Sequence, residues 1–224
     1  YLDASDVQYI RTAARRSSLI MGFQIMPQEP VRPPGIGHET QHVSTWTHNG
    51  ANIQDLMEGE VFTDGSCLKP GPPVWNATGW AVCKVSRDGT LLASVSGTVG
   101  RQLPQSSPAA EHVAGLAAAT FPRVAVAYSD YKNLHGLELL SNAAALHPKG
   151  VYSGMRRRIR GISNPGFRIQ HCPGHVSVES CGGDSEATFR ALGNQHADRV
   201  AGFAAAAALA PSRPESDEWS REAA

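Results

Sequence analysis

The sequence predicts an α/β domain, a five-stranded mixed sheet flanked by helices, over residues 59–210. Three observations lead there. Apolar, β-prone segments come first, and two of them flank Arg87-Asp88-Gly89, an Asp-Gly hairpin signal. Ala-rich helical segments then alternate with further short strands, and a strand–helix–strand order requires crossover connections and parallel pairing. Finally, 224 residues with 41% hydrophobic content accommodate one domain of about 150 residues with a buried core, plus flanking segments.

Residues 4–22 read as a helix, with Ser5 or Asp6 near its start and Val7, Ile10, Ala14 and Leu19 at roughly helical spacing. Pro27, Pro30, Pro33, Pro34, Gly35 and Gly37 then mark an extended linker from Pro27 to Gly50. Glu60–Leu68 is the first strand, and Thr78–Ser86 and Thr90–Val99 form the hairpin. Ser107 as N-cap with Pro108 at the first helical position opens a helix to about Thr120. Arg123–Ser129 is the fourth strand and leads into a helix over Lys132–Leu140, then a basic helix over Met155–Ile162. Gly166–Cys172 is the fifth strand. A Gly-rich loop runs to Gly193, Asn194–Leu209 is the last helix, and Pro211–Ala224 is a polar tail expected to be disordered.

The net charge is zero but unevenly spread. Residues 60–210 hold 14 Lys or Arg against 10 Asp or Glu, whereas 1–59 hold four against six and 211–224 two against four. A basic central domain suits a phosphate backbone as partner. The longest terminal apolar run, Ala204–Ala210, has seven residues, against about 18–20 for a membrane span, so no membrane partner is expected. Cys67, Cys83, Cys172 and Cys181 form no CxxC pair, which favours a reducing, intracellular compartment, nucleus or cytoplasm. The start at Tyr1 suggests a piece of a longer product.

Four acids lie where strand and helix ends can bring them together. Asp64 interrupts an apolar strand, which costs several kcal/mol unless the carboxylate is paired or metal-bound. Glu111 sits one turn inside the Ala-rich helix, Asp130 ends the fourth strand, and Asp198 falls in the first turn or so of the last helix. Taken singly, Asp130 reads equally as a helix cap, Asp198 as a helix-dipole partner and Glu111 as a solvated side chain. Together they suit Mg²⁺ or Mn²⁺, and paired ions of that kind stabilise the attacking and leaving oxygens of a phosphate displacement.

Six segments in order resemble the type 1 ribonuclease H family. Thr63-Asp64-Gly65-Ser66 resembles its first-strand TDGS, and Asn76-Ala77-Thr78-Gly79-Trp80 its Gly-rich second-strand entry. Gln105-Ser106-Ser107-Pro108-Ala109-Ala110-Glu111 is similar to the segment introducing the metal-binding Glu, and Ser129-Asp130-Tyr131-Lys132-Asn133-Leu134 to the Ser-Asp motif. Cys172-Pro173-Gly174-His175 resembles the Gly-His before the catalytic loop, and Gly193 to Ala201 the Gly-Asn-Glu-x-Ala-Asp helix. The match spans about 150 of 224 residues. The resemblance implies a ribonuclease H-like fold and hydrolysis of the RNA strand of an RNA–DNA hybrid, leaving a 5′ phosphate. Asp64, Glu111, Asp130 and Asp198 would hold two Mg²⁺ ions, Mn²⁺ being the alternative. His175 would assist proton transfer or product release. Gly65, Ser66 and Gln105 would meet the minor groove, where 2′-hydroxyls distinguish RNA from DNA.

The chain departs from the family in a long segment between His175 and Gly193, with an insertion around Val178–Ala191. No separate basic protrusion is evident, and Arg156, Arg157 and Arg158 on the helix before the fifth strand are the candidates for phosphate contacts, a solvated helix face being the alternative. Residues 1–59 lack the aromatic and basic pattern of a hybrid-binding module and hold no site residue, so they are expected to be dispensable for activity. With the non-Met start, this favours a retroelement polyprotein with an upstream reverse transcriptase domain. Three other kinds of protein could carry such residues. A zinc site from Cys172, His175, Cys181 and His196 has ligand-like spacing at its opening, but draws on a strand end and on the helix carrying Asp198. Integrases expect a Glu about 35 residues after the second Asp, where Pro165 stands, and proofreading exonucleases expect Asp-x-Glu, where Asp64-Gly65-Ser66 stands. The third is a catalytically inactive domain of the same fold, serving as a structural or a nucleic-acid- or protein-binding module.

Overall fold

Alternation explains the central strands: Val61, Trp80 and Val82 point to one side of the sheet, and Phe62, Ala81, Cys83 and Val85 to the other. Both faces are covered along the middle of these strands, over Val61–Gly65 of Glu58–Leu68 and Ala77–Cys83 of Ala77–Val85. The computed structural model describes residues 43–69, 76–100, 103–135, 147, 150, 152–162 and 165–209. The helix expected over 4–22, linker residues 27–42, residues 136–140 of the helix after the fourth strand and the 211–224 tail lie outside them.

In chain order the elements are β1 (Val43–Thr47), a 3₁₀ turn (His48–Gly50), α1 (Ile53–Leu56), β2 (Glu58–Leu68), β3 (Ala77–Val85), β4 (Leu91–Thr98), α2 (Ser107–Ala119), β5 (Arg123–Ser129), α3 (Lys132–His135), α4 (Ser153–Gly161), β6 (Arg168–His171), a second 3₁₀ turn (Val178–Cys181) and α5 (Ser185–Leu209). The strands form one mixed sheet in the order β1-β4-β3-β2-β5-β6. β2, β3 and β4 pair antiparallel, while β5 and β6 join in parallel, which is the antiparallel start and crossover finish expected. One core packs α2, α3 and α4 on the first face, through Ala110, Ala114, Ala118, Leu134 and Ile159. The other packs α5 on the second face through Phe189, Ala197 and Ala201. No helix among the described residues is long and apolar enough to cross a membrane.

Three expectations need correction. The sheet has six strands rather than five, because Val43–Thr47, assigned to the linker, pairs antiparallel with β4. Its Val, Thr and Trp residues carried a strand signal, but the strand is almost wholly exposed, so no apolar alternation marked it. The segment before Glu60 also contributes fully buried Met57 to the core. Next, the last helix begins at Ser185, nine residues before the expected start. Asp184 caps it by accepting from the Glu186 and Ala187 amides at 2.9 and 3.1 Å. Gly193, read as the end of a loop, lies inside this helix with its Cα facing the Phe62 ring, so that even a methyl group there would overlap the ring. A glycine inside a helix costs about 1 kcal/mol relative to alanine, but here it lets the helix sit directly on the Phe62 ring. Last, α2 is capped by Ser106 rather than Ser107, its hydroxyl accepting from the Ala109 amide at 3.4 Å.

Candidate active site

Register brings the first two carboxylates together. β2 and β5 run parallel with Thr63 opposite Ser129, so the next residues, Asp64 and Asp130, emerge side by side at the same end of the sheet. Glu111 reaches them from α2 because Gly65 lets the helix settle directly on β2: a Cβ at residue 65 would overlap the Glu111 amide nitrogen. The Glu111 carboxylate then spans the two strands. The Gly65 amide donates to its Oε1 at 3.1 Å, and the Ser129 hydroxyl to its Oε2 at 3.2 Å. Oxygens of Asp64, Glu111 and Asp130 lie within 4.8 Å of one another. Among the described residues they are the only such group of three or more His, Cys, Asp or Glu side chains.

The electrostatics follow from the burial. Asp64 and Glu111 are 6% and 2% exposed. Burial first, then the charges of Asp130 and Asp198, pushes the Asp64 carboxyl up to about 7, with hydrogen bonds to Glu111 and the Gly65 backbone partly offsetting. Burial, then Asp64 and Asp130, holds Glu111 well above the usual carboxylate range. The same field reaches two thiols: burial and Asp64 raise Cys83 to about 12, and burial and Asp130 raise Cys172 to about 12. Asp64 and Glu111, which resist ionising, and the adjoining Asp130 offer hard oxygen ligands with unmet demand for positive charge. That donor set fits Mg²⁺ or Mn²⁺.

Asp198 stands differently. It is exposed, lies well inside α5 rather than in its first turn, and is not a member of the three-acid group, although its charge bears on Asp64. An N-terminal dipole role is therefore removed for it. His175 is exposed on the loop after β6, with a backbone φ of 54°, which non-glycine residues adopt rarely. The Gln195 side chain donates to the Val176 carbonyl at 3.3 Å and ties this loop to α5. The insertion after His175 thus splits into a short capped turn and added turns of helix.

Of the residues expected at a minor groove, Gly65 is buried with its amide on Glu111 and its carbonyl accepting from the Ser107 hydroxyl at 2.7 Å. Gln105 donates its side-chain amide to the carbonyls of Val99, Gly100 and Leu103. Ser66 is half-buried at the end of the same strand. On α4, Arg157 and Arg158 are exposed and Arg156 is half-buried. The four zinc candidates do not assemble: Cys172 is buried with its thiol towards Asn194, Cys181 turns to the Ser177 carbonyl, and His196 sits 3.0 Å from the Gly89 carbonyl.

Sequence reasoning passed over three supporting residues. Ser129 holds Glu111, and a hydroxyl at the end of the apolar run beside Asp130 was its signal. Gly174 leaves the space that Asp130 occupies, since a Cβ there would overlap Asp130 Oδ2. His112 is fully buried beside Glu111, with Nδ1 2.7 Å from the Pro108 carbonyl and Nε2 accepting from Arg156 Nε at 3.2 Å. Burial holds its pKa down at about 4, so the ring is neutral and carries its proton on Nδ1.

No family model matches the chain, and neither does any curated protein. Solved structures similar to it include the RNase H1 of the halophilic archaeon Halobacterium salinarum NRC-1, at 22% identity and a TM-score of 0.41, covering 65% of this chain and 95% of that one. Another is LC11-RNase H1 in complex with an RNA/DNA hybrid, at 16% identity and 0.46, covering 67% and 98%. A third is LC9-RNase H1, a type 1 RNase H with the type 2 active-site motif, at 15% and 0.45, covering 66% and 72%. Likenesses this distant carry nothing about what this chain does.

Proposed function

We propose that the chain is a metal-dependent nuclease of the ribonuclease H kind, hydrolysing the RNA strand of an RNA–DNA hybrid. The observation that carries this reading is the meeting of buried Asp64 and Glu111 with half-buried Asp130 at the common end of two parallel strands. Burial and neighbouring charge raise the cost of ionising Asp64 and Glu111, and a cation shared with Asp130 would offset that cost.

Asp64, Glu111 and Asp130 would hold the divalent cations, with Asp198 completing the set from α5. Bound in pairs, such ions supply activation of a water and neutralisation of the charge developing on the departing 3′ oxygen. Ser129 and the Gly65 amide orient Glu111 so that both its oxygens stay on the cluster. The Gly174 backbone packs on Asp130 and keeps it from rotating away. His175, exposed beside this loop, offers a ring nitrogen that takes or gives a proton at the leaving group. Arg156, Arg157 and Arg158 present positive charge for phosphates, and the 2′-hydroxyls that mark the RNA strand would be read near Gly65, Ser66 and Gln105.

One observation favours a second reading, a domain of this fold without catalysis: Asp198 is outside the three-acid group. The two part on one experiment. Incubating the protein with a hybrid labelled on the RNA strand should give Mg²⁺-dependent fragments ending in 5′ phosphate, and none with Asp64→Asn or Asp130→Asn. Wild-type protein that binds hybrid but leaves it intact in both Mg²⁺ and Mn²⁺ would hand the case to the second reading.

A further inference from the structure

We propose that His112 is a positioning residue that locks the arginine-bearing helix α4 to the carboxylate-bearing helix α2, and so fixes the distance between the phosphate grip and the cutting centre. The second half of that statement rests on the nuclease reading above; the first half does not.

The geometry is specific. His112 directly follows Glu111, yet its ring turns the other way, towards α4. It stacks on Tyr152, the residue before α4, with centroids 4.3 Å apart and planes 23° apart. It meets Tyr131, the residue after Asp130, edge-on at 5.8 Å. The Tyr152 hydroxyl lies 3.2 Å from that of Ser106, the cap of α2. The imidazole therefore touches both ends of the problem: a neighbour of Glu111 and Asp130 on one side, the start of the basic helix on the other.

Its two nitrogens explain why histidine stands here. Filling this pocket alone calls for an apolar side chain, since a buried ring nitrogen without a partner costs about 1–3 kcal/mol. What leucine lacks is a donor and an acceptor on one rigid ring. Nδ1–H is spent within α2, on the Pro108 carbonyl, which fixes the ring's direction. Nε2 is left facing outward as an acceptor, and Arg156 Nε fills it. Among the described residues this is the only hydrogen bond that the Arg156 side chain makes, its backbone amide going to the Tyr152 carbonyl, so both its terminal nitrogens remain for an anion. A guanidinium held through Nε is a preoriented two-pronged phosphate fork, with less freedom to lose on binding than a solvated arginine.

The test compares His112→Leu, His112→Gln, Arg156→Met and the Leu/Met double variant in the 224-residue protein. Three readouts are needed: amide hydrogen exchange of α4, hybrid binding in EDTA, and KM and kcat with Mg²⁺. We expect His112→Leu to speed exchange in α4 by about tenfold while α2 is unchanged, and to raise the EDTA dissociation constant and KM together by about tenfold with kcat within about twofold. Arg156→Met should weaken binding equally, and the double variant should be no worse than the poorer single, because both cut one link. Glutamine, which keeps a donor and an acceptor, should return binding to within about threefold of wild type. Unchanged α4 exchange, losses that add in the double variant, or a fall in kcat at constant KM would each overturn the proposal. Arg156 is half-buried, so its variant decides the matter even if His112→Leu fails to fold. Should wild-type protein cut no hybrid at all, the nuclease reading fails by itself, and the exchange data still judge the lock.

Discussion

The acid site has two halves built on opposite principles. Asp64, Glu111 and Asp130 project from the sheet and α2 into a closed, hydrogen-bonded cluster, whereas Asp198 and His175 are exposed on α5 and the loop before it. The difference is one of cost. An exposed carboxylate is stabilised by water and needs no further justification. Asp64 and Glu111, buried against each other and against Asp130, have their pKa values raised, and their persistence in the fold argues for a bound cation. On the nuclease reading proposed above, the buried half would carry the chemistry and the exposed half the passage of substrate and product.

Substitution separates the halves most sharply. Asp64→Asn and Glu111→Gln should each lower hydrolysis by at least about a thousandfold, and yet raise the metal-free stability by on the order of 1–3 kcal/mol, because each removes a charge that the fold disfavours. Asp198→Asn should also impair hydrolysis but leave stability within about 0.5 kcal/mol, as surface changes do. Urea denaturation in EDTA alongside the hydrolysis assay measures both. If Asp64→Asn proved destabilising, the contrast between the halves would be broken.

A smaller effect is expected with pH. Asp64 has its folded-state pKa raised to about 7 from 3.8. It therefore favours the fold fully below the unfolded value, and that contribution is lost as pH rises towards and through 7. Metal-free protein should melt lower at pH 8 than at pH 5. Saturating Mg²⁺ or Mn²⁺ should restore the loss, by about 2.7 kcal/mol at a hundred times Kd, and do so more at pH 8. Thermal melts with and without EDTA decide it, and a melting temperature indifferent to pH and metal would mean the buried acids do not feel one another. The smallest effect belongs to the exposed half. His175→Gly should relieve the left-handed backbone and stabilise by about 1 kcal/mol or less, while slowing hydrolysis by about tenfold. A slowing without any gain in stability would locate the strain elsewhere.

What could be read in the chain follows the same division. A carboxylate inside an apolar strand is conspicuous, so Asp64 and Asp130 were legible, and the hairpin turn and Ala-rich helix placed their neighbours. Contacts across the fold were not legible. Gly193 looked like the end of a loop because its role depends on Phe62, some 130 residues earlier in the chain. His112 looked like one histidine among nine, because its partners Tyr152 and Arg156 lie some 40 residues away. The five-strand count failed for a related reason: β1 is exposed on nearly every residue, so only its pairing with β4 reveals it.

That short outer strand has a consequence for handling the molecule. Val43–Thr47 satisfies the outer row of β4 amides and carbonyls along Ala93–Gly97. A version trimmed to start at residue 59 would keep Asp64, Glu111, Asp130 and Asp198, yet lose the buried Met57 and present β4 bare, an open template on which other copies could add. Such a fragment would fail by aggregation rather than by loss of chemistry, and a soluble minimal piece has to begin ahead of Val43.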